Sequence, residues 1–134
     1  MTDTAKRRRP APIAGAAALD AALVLIFAAI GRGSHAEAMS ASGLWQTAWP
    51  FLAGLAVSWL VCGVWRRPVA LLRSGLPVWI GTVTLGLILR VAFTRGGAAL
   101  PFVIVASATL ALMLLGWRGI AALIGSVARR RPAR

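Results

Sequence analysis

Asp20 is the residue that helix packing explains least well, because it is the single charged residue in the apolar stretch 13–30. It lies about seven residues into that stretch, or about 10 Å along a helix. A carboxylate at that depth in lipid costs several kcal/mol unless it is paired, hydrated or protonated. We therefore expect Asp20 to face the interior of a helical bundle. There it either carries a proton, ion or substrate, or serves as a structural acid that fixes the helix register.

Four hydroxyl residues and an arginine in the other apolar stretches complete a candidate intramembrane polar site. The hydroxyls lie at a similar predicted depth and could surround the carboxylate with donors, whereas the arginine lies nearer the outer surface, so that a water or hydroxyl would have to bridge it to the acid. The alternatives are ordinary small-residue helix packing and an arginine that snorkels outward. The set comprises Asp20, Ser58, Thr82, Arg90, Ser107 and Thr109.

A second candidate site lies in the first polar loop and comprises Arg32, His35 and Glu37. His35 is the only histidine, and its ordinary pKa is near neutrality, so any pH sensing would involve it. The competing interpretation is a solvated loop histidine without a function.

Metal, cofactor and catalytic chemistry are all disfavoured. The chain has one cysteine, Cys62, and one histidine, whereas metal sites need several N, S or O ligands together. It contains no nucleophile elbow, P-loop, HExxH or CxxC motif, each of which would position reacting groups. We expect no metal, no cofactor and no enzymatic activity.

The elements that would position these residues are membrane helices. The chain has 134 residues, 59% of them hydrophobic and 13% charged, with a mean hydropathy of +0.79. Long apolar blocks of this kind predict an all-α bundle of four transmembrane helices. The predicted spans are 13–30, 47–64, 76–93 and 100–117, between a disordered basic tail at 1–12 and a basic amphipathic tail at 118–134. A cleaved signal peptide is the competing interpretation of the first span.

Three prolines support the predicted borders. Pro50, Pro77 and Pro101 would each fall in the first turn of a helix, where the missing N–H costs nothing. No proline would then interrupt a span. That arrangement argues against the broken helices of many transporters.

The distribution of basic residues predicts that both termini are cytoplasmic. Of the 15 Lys and Arg residues, the outer side would hold three, Arg32, Arg90 and Arg95, and the inner side the other twelve. This location at the ends of spans also explains the net charge of +12 by contact with anionic headgroups, so we expect no nucleic-acid partner. The bias toward Ala and Arg is typical of a high-GC bacterium, which indicates a bacterial plasma membrane protein.

Tryptophans would mark both interfaces of the membrane. Trp45 and Trp49 fit an outer aromatic belt, and Trp65, Trp79 and Trp117 an inner one. Trp59 falls inside a span and is interpreted as a packing residue.

Over about residues 19–118 the chain resembles DUF3054, a family of uncharacterised actinobacterial and haloarchaeal membrane proteins. The resemblance rests on an ordered set of segments and not on one diagnostic motif. It implies a small four-helix membrane protein and no activity. The segments are Leu19-Asp20, FAAIGRGSH at 27–35, TAWPFLAG at 47–54, the positions Trp79, Thr82, Gly86 and Arg90, FVIVA at 102–106 and GWR at 116–118.

Two functional hypotheses follow. The first is a small transporter or channel-like protein, in which Asp20 and Arg90 line a polar path. The second is a non-catalytic accessory or assembly subunit whose basic ends contact anionic lipid or a partner. Either would act as a homo-oligomer or with another membrane protein.

Overall fold

The computed structural model describes residues 10–33, 40–130 and 132, and within them every regular element is helical. Four helices are long and apolar enough to cross a membrane, which confirms the predicted all-α bundle of four spans. The elements are α1 (Pro10–Gly33), α2 (Ala41–Val61), a 3₁₀ turn (Val64–Arg66), a π-helical turn (Leu71–Gly75), α3 (Leu76–Phe93) and α4 (Leu100–Arg130).

Consecutive helices run antiparallel. The rings of Phe27 in α1 and Phe51 in α2 meet edge to face at 5.1 Å, whereas Asp20, earlier in α1, contacts Trp59, later in α2. The same reversal holds at the other helix contacts described below. The start of α1, the end of α2, the π turn and the end of α4 therefore share one end of the bundle, which we call the basic end.

The closest helix contact is between α2 and α3, and two glycines permit it. A Cβ atom on Gly54 would lie 3.1 Å from the backbone nitrogen of Gly86 and 3.1 Å from the carbonyl oxygen of Thr82. A Cβ on Gly86 would collide with the ring of Phe51. Small residues let backbones approach where lipid supplies no hydrophobic drive between helices. Around this contact lies the core: Val24, Phe27, Phe51, Leu55, Val64, Val78, Ala106, Leu110 and Leu114.

Helix α2 begins at Ala41, six residues before the predicted start at residue 47. The side chain of Ser40 caps it by accepting a hydrogen bond of 3.1 Å from the backbone N–H of Gly43, and this satisfies one of the free donors of the first turn. Pro50 therefore lies inside the helix. The prediction that Pro50 falls in the first turn of a helix is wrong, because residues 41–46 are helical and not a loop, although α2 runs unbroken from Ala41 to Val61.

The first and last helices, α1 and α4, are longer than predicted. Helix α1 begins at Pro10, three residues before the predicted span, and α4 continues through the predicted tail to Arg130. With 31 residues, α4 is about 46 Å long at 1.5 Å per residue, which exceeds the roughly 30 Å of a hydrocarbon core. Residues 1–9, to which the prediction of a disordered basic tail applies, lie outside the described residues.

The π turn at Leu71–Gly75 runs directly into α3. Both Ser74 and Gly75 donate their backbone N–H to the carbonyl of Ala70, at 3.2 and 3.0 Å. Pro77 follows at the second residue of α3. A proline lacks the N–H for the i−4 bond and crowds that carbonyl, and here the π turn lies immediately before it.

Substituting Gly54 with alanine should destabilise the bundle. The added methyl would meet two backbone atoms at 3.1 Å, and overpacking of this kind costs about 1–3 kcal/mol. The measurement is the free energy of unfolding in mixed micelles of a mild detergent and SDS. Gly116→Ala is the matched control, because a Cβ there meets nothing within 4 Å and alanine favours helix by about 0.5–1 kcal/mol. Equal stability of the two variants would contradict the close α2–α3 contact.

Candidate functional site

Asp20 forms a buried ion pair with Arg118. The two residues lie in α1 and α4, and both are 0% exposed. Nη2 of Arg118 donates to Oδ2 of Asp20 at 2.7 Å, and Nη1 donates to Oδ1 at 2.9 Å. This is the two-pronged geometry in which a guanidinium matches a carboxylate best.

Two tryptophans complete the coordination of the carboxylate. Nε1 of Trp59 in α2 donates to Oδ2 at 2.9 Å, and Nε1 of Trp117 in α4 donates to Oδ1 at 2.8 Å. Each oxygen thus receives two hydrogen bonds, which matches the roughly four acceptor positions of a carboxylate. We call Asp20, Trp59, Trp117 and Arg118 the ion-pair cluster.

Arg118 also contacts the segment that connects α2 to α3. Its Nε donates to the carbonyl of Pro68 at 2.9 Å, and its Nη1 donates in addition to the carbonyl of Leu114 at 2.9 Å. Its guanidinium carbon lies 4.5 Å from the centre of the Trp117 ring. Beside the Arg118 stem lies Gly75 of the π turn, where an added Cβ would lie 3.0 Å from Cδ of Arg118.

The periodicity of the buried positions explains how both charges reach the interior. In α4 the buried residues Leu110, Leu114 and Arg118 follow one another at intervals of four. In α1 Asp20 lies between the buried residues Ala16 and Val24 at the same spacing. Residues four apart share a helix face, so each charge occupies a core position on its helix.

The predicted hydroxyl shell around Asp20 is not found. The hydroxyl of Ser58 donates to the carbonyl of Gly54 in its own helix at 2.7 Å. Thr82 is buried, and its hydroxyl has no hydrogen-bond partner among the described residues. Ser107 contributes its backbone carbonyl, which accepts a hydrogen bond of 2.9 Å from Nε1 of Trp79, and Thr109 is half-buried. The donors to Asp20 are the indoles and the guanidinium instead.

Arg90 lies at the end of the bundle opposite the basic end. Its Nε donates to the carbonyl of Gly97 at 2.8 Å, its Nη2 donates to that of Gly96 at 3.3 Å, and its guanidinium carbon lies 4.1 Å from the centre of the Phe102 ring. These contacts fasten the turn between α3 and α4. The structure therefore separates Arg90 from Asp20, which the sequence placed in one polar site.

The predicted outer-loop site is described in part. Nη1 of Arg32 donates to the hydroxyl of Thr47 at 3.3 Å, which joins the end of α1 to α2. His35 and Glu37 lie outside the described residues. The role of this loop in pH sensing stays a prediction.

Sequence reasoning missed Arg118, Trp117 and Trp59 as partners of Asp20. The sequence pattern places Arg118 among the charges that flank a span and Trp117 in an aromatic belt. One available signal was the spacing of Leu110, Leu114 and Arg118, which continues the buried face of α4. A second was Trp59, the tryptophan that lies farthest from the ends of its predicted span.

The hydrogen bonds of the ion-pair cluster join different helices of the same chain. Its carboxylate accepts four hydrogen bonds from groups of the same chain. Its guanidinium is divided between the carboxylate and two backbone carbonyls. The described residues contain no group of three or more His, Cys, Asp or Glu side chains that could hold a metal ion.

The family model described as "Protein of unknown function (DUF3054)" matches residues 17–121. This match contains all four members of the ion-pair cluster. No curated protein and no solved structure matches the chain.

Replacing Arg118 with lysine should destabilise the protein although the charge is kept. A single ammonium cannot reproduce the paired donors to Asp20 together with the bond to Pro68. Hydrogen bonds to charged groups contribute about 1.5–3 kcal/mol each, so we expect a loss of at least about 1.5 kcal/mol in the free energy of unfolding. Arg95→Lys is the control, because Arg95 is exposed. If both variants unfold like the wild type, the contacts of Arg118 do not stabilise the bundle.

Proposed function

Because the chain belongs to the DUF3054 family, whose description assigns no function, we propose its role from geometry: a non-catalytic accessory or assembly protein of the membrane. The observation that carries the proposal is the saturation of the Asp20 carboxylate by Arg118, Trp59 and Trp117. An acid that binds a substrate or relays a proton needs an acceptor position that the protein leaves open. In the ion-pair cluster, all four acceptor positions of the Asp20 carboxylate are occupied.

The ion-pair cluster connects three of the four long helices. It joins α1, α2 and α4, and through Pro68 it also holds the α2–α3 connection. Removing one partner of a buried ion pair typically costs 3–5 kcal/mol, because the other charge remains uncompensated. The pair therefore supports a rigid arrangement of helices.

The exposed surface supports a role in assembly. The last third of α4 carries an exposed apolar strip of Ile120, Leu123, Ile124 and Val127. These residues are spaced 3, 1 and 3 apart, which places them on one helix face. Helix α4 exceeds the thickness of a hydrocarbon core by about 16 Å, so this strip suits contact with a partner protein at the membrane surface.

The proposal includes an orientation and a location. Apart from Arg118, which pairs with Asp20, the described basic residues at the basic end are Arg66, Arg67, Arg73, Arg129 and Arg130, against Arg32, Arg90 and Arg95 at the other end. An excess of Lys and Arg favours the cytoplasmic side. The basic end, and with it both termini, would face the cytoplasm of a bacterial plasma membrane.

A transporter or channel-like protein is the second candidate. The observation that favours it is the position of Trp59, which lines an open surface groove between α1 and α2 and also donates to Asp20. In this alternative, movement of Trp59 would open a route to the carboxylate. Asp20 would then take up a proton or ion when Arg118 releases it.

A double-mutant cycle separates the two candidates. Asp20→Asn and Arg118→Gln should each lower the free energy of unfolding by about 3 kcal/mol or more, and the double variant should recover part of that loss, since a residue pair in contact typically couples by 0.5–3 kcal/mol. Stability is measured by unfolding in mixed micelles. Proton flux is measured with a pH-sensitive dye in proteoliposomes under an imposed potential.

The accessory role predicts no flux above that of empty liposomes for the wild type or the folded double variant. It also predicts that a cysteine at Leu123, in a Cys62→Ser background, cross-links to one discrete larger species in membranes of the native host, whereas a cysteine at Arg95 does not. Wild-type flux that disappears in the folded double variant would instead establish the transporter alternative.

A further inference from the structure

An open surface groove lies between α1 and α2. Its volume is about 380 Å³, and its lining consists of alanines, leucines and Trp59, whose indole N–H donates to Asp20. Alanines at positions 17, 21 and 56 leave space between the helices, and Leu52, Leu55 and Leu60 form much of its remaining wall. In an aqueous protein such a groove would suggest an apolar ligand. In a bilayer the chemistry that matches it is a hydrocarbon chain.

The groove extends toward the basic end. Leu60 lies one residue before the end of α2, and Gly63 then turns the chain with φ 60° and ψ 40°. The stem of Arg66 folds back over this turn, so that its Cδ and Nε lie 3.7 Å from the position of a Cβ on Gly63. Arg66 and Arg67 are both exposed. Arg66 and Arg67 therefore follow the last groove residue, Leu60, by six and seven positions, at the basic end of the bundle.

The described residues at the basic end carry an excess of positive charge, which favours an anionic ligand. Asp20 is the only acid among the described residues, and Arg118 neutralises it. The described part of the basic end therefore carries a net positive charge. A second copy of the chain inserted in the same direction would bring the same positive charge alongside, whereas an anionic phospholipid supplies the opposite one.

We propose that the groove between α1 and α2 binds one acyl chain of an anionic phospholipid, whose phosphate lies at Arg66 and Arg67. The site would be coupled to the ion-pair cluster, because Trp59 forms part of the groove wall and donates to Asp20. A chain packed against Trp59 restricts the motion of that indole. A ligand that binds the folded state also stabilises it by mass action.

The experiment counts bound lipid on the purified full-length protein. Native mass spectrometry and thermal unfolding are recorded in detergent with added phosphatidylglycerol or phosphatidylcholine. Ala56→Phe fills the groove, and Ala22→Phe is its control, because Ala22 is an exposed residue of α1 outside the groove. Arg66→Gln with Arg67→Gln removes both headgroup contacts, and Arg95→Gln is the control at the opposite end.

We expect one phosphatidylglycerol to remain bound to the wild type and to raise its Tm, with no such effect of phosphatidylcholine. Ala56→Phe should weaken binding at least about tenfold. The double arginine variant should weaken it about thirtyfold, given the usual attraction of each arginine to an anionic headgroup. Both controls should bind like the wild type.

Three results would overturn the proposal. Equal binding of both lipids would remove the role of charge. Loss of binding in the arginine variant alone, with Ala56→Phe unaffected, would show attraction to the basic surface without a groove site. Conversion of a dimer to a monomer by Ala56→Phe, measured by light scattering, would assign the groove to a second copy. The unfolding curve without lipid confirms that each variant is folded.

Discussion

A charge in an apolar bundle must find its counter-charge inside the same bundle, and the contacts of Asp20 follow from this requirement. Arg118 supplies the charge, and Trp59 and Trp117 supply the remaining hydrogen bonds. The other elements make room for this arrangement. Gly75 lies beside the arginine stem, and Pro68 accepts its third donor group. The first and last helices are thereby joined directly, and the four-helix ring is closed.

The α2–α3 contact is stabilised differently. It depends on close backbone approach at Gly54 and Gly86, whereas the α1–α4 contact depends on charge. Hydroxyls serve neither purpose directly. Ser58 bonds to its own helix, as membrane helices commonly satisfy their hydroxyls. The bundle therefore combines dispersion at its centre with electrostatics near the basic end.

Much of the fold could be predicted from hydropathy, because apolar length alone identifies a membrane span. Helix α3 has the predicted bounds of 76–93, and α4 begins at residue 100 as predicted. The start of α2 could not be predicted in this way, because residues 41–46 are polar yet helical and Ser40 caps them. Asp20 was identified as anomalous from its type and position. Its partner was not, because depth was judged from the ends of apolar stretches, and Arg118 follows one of those ends while still facing the interior.

The sequence separation within the ion pair has a consequence for biosynthesis. Asp20 and Arg118 are 98 residues apart. A ribosome adds about 5–20 residues per second, so the carboxylate is made roughly 5–20 s before its guanidinium. Throughout that interval Asp20 on α1 lacks the counter-charge that pairs with it in the folded bundle. The contact that joins the first helix to the last can therefore form only after the last helix has been made.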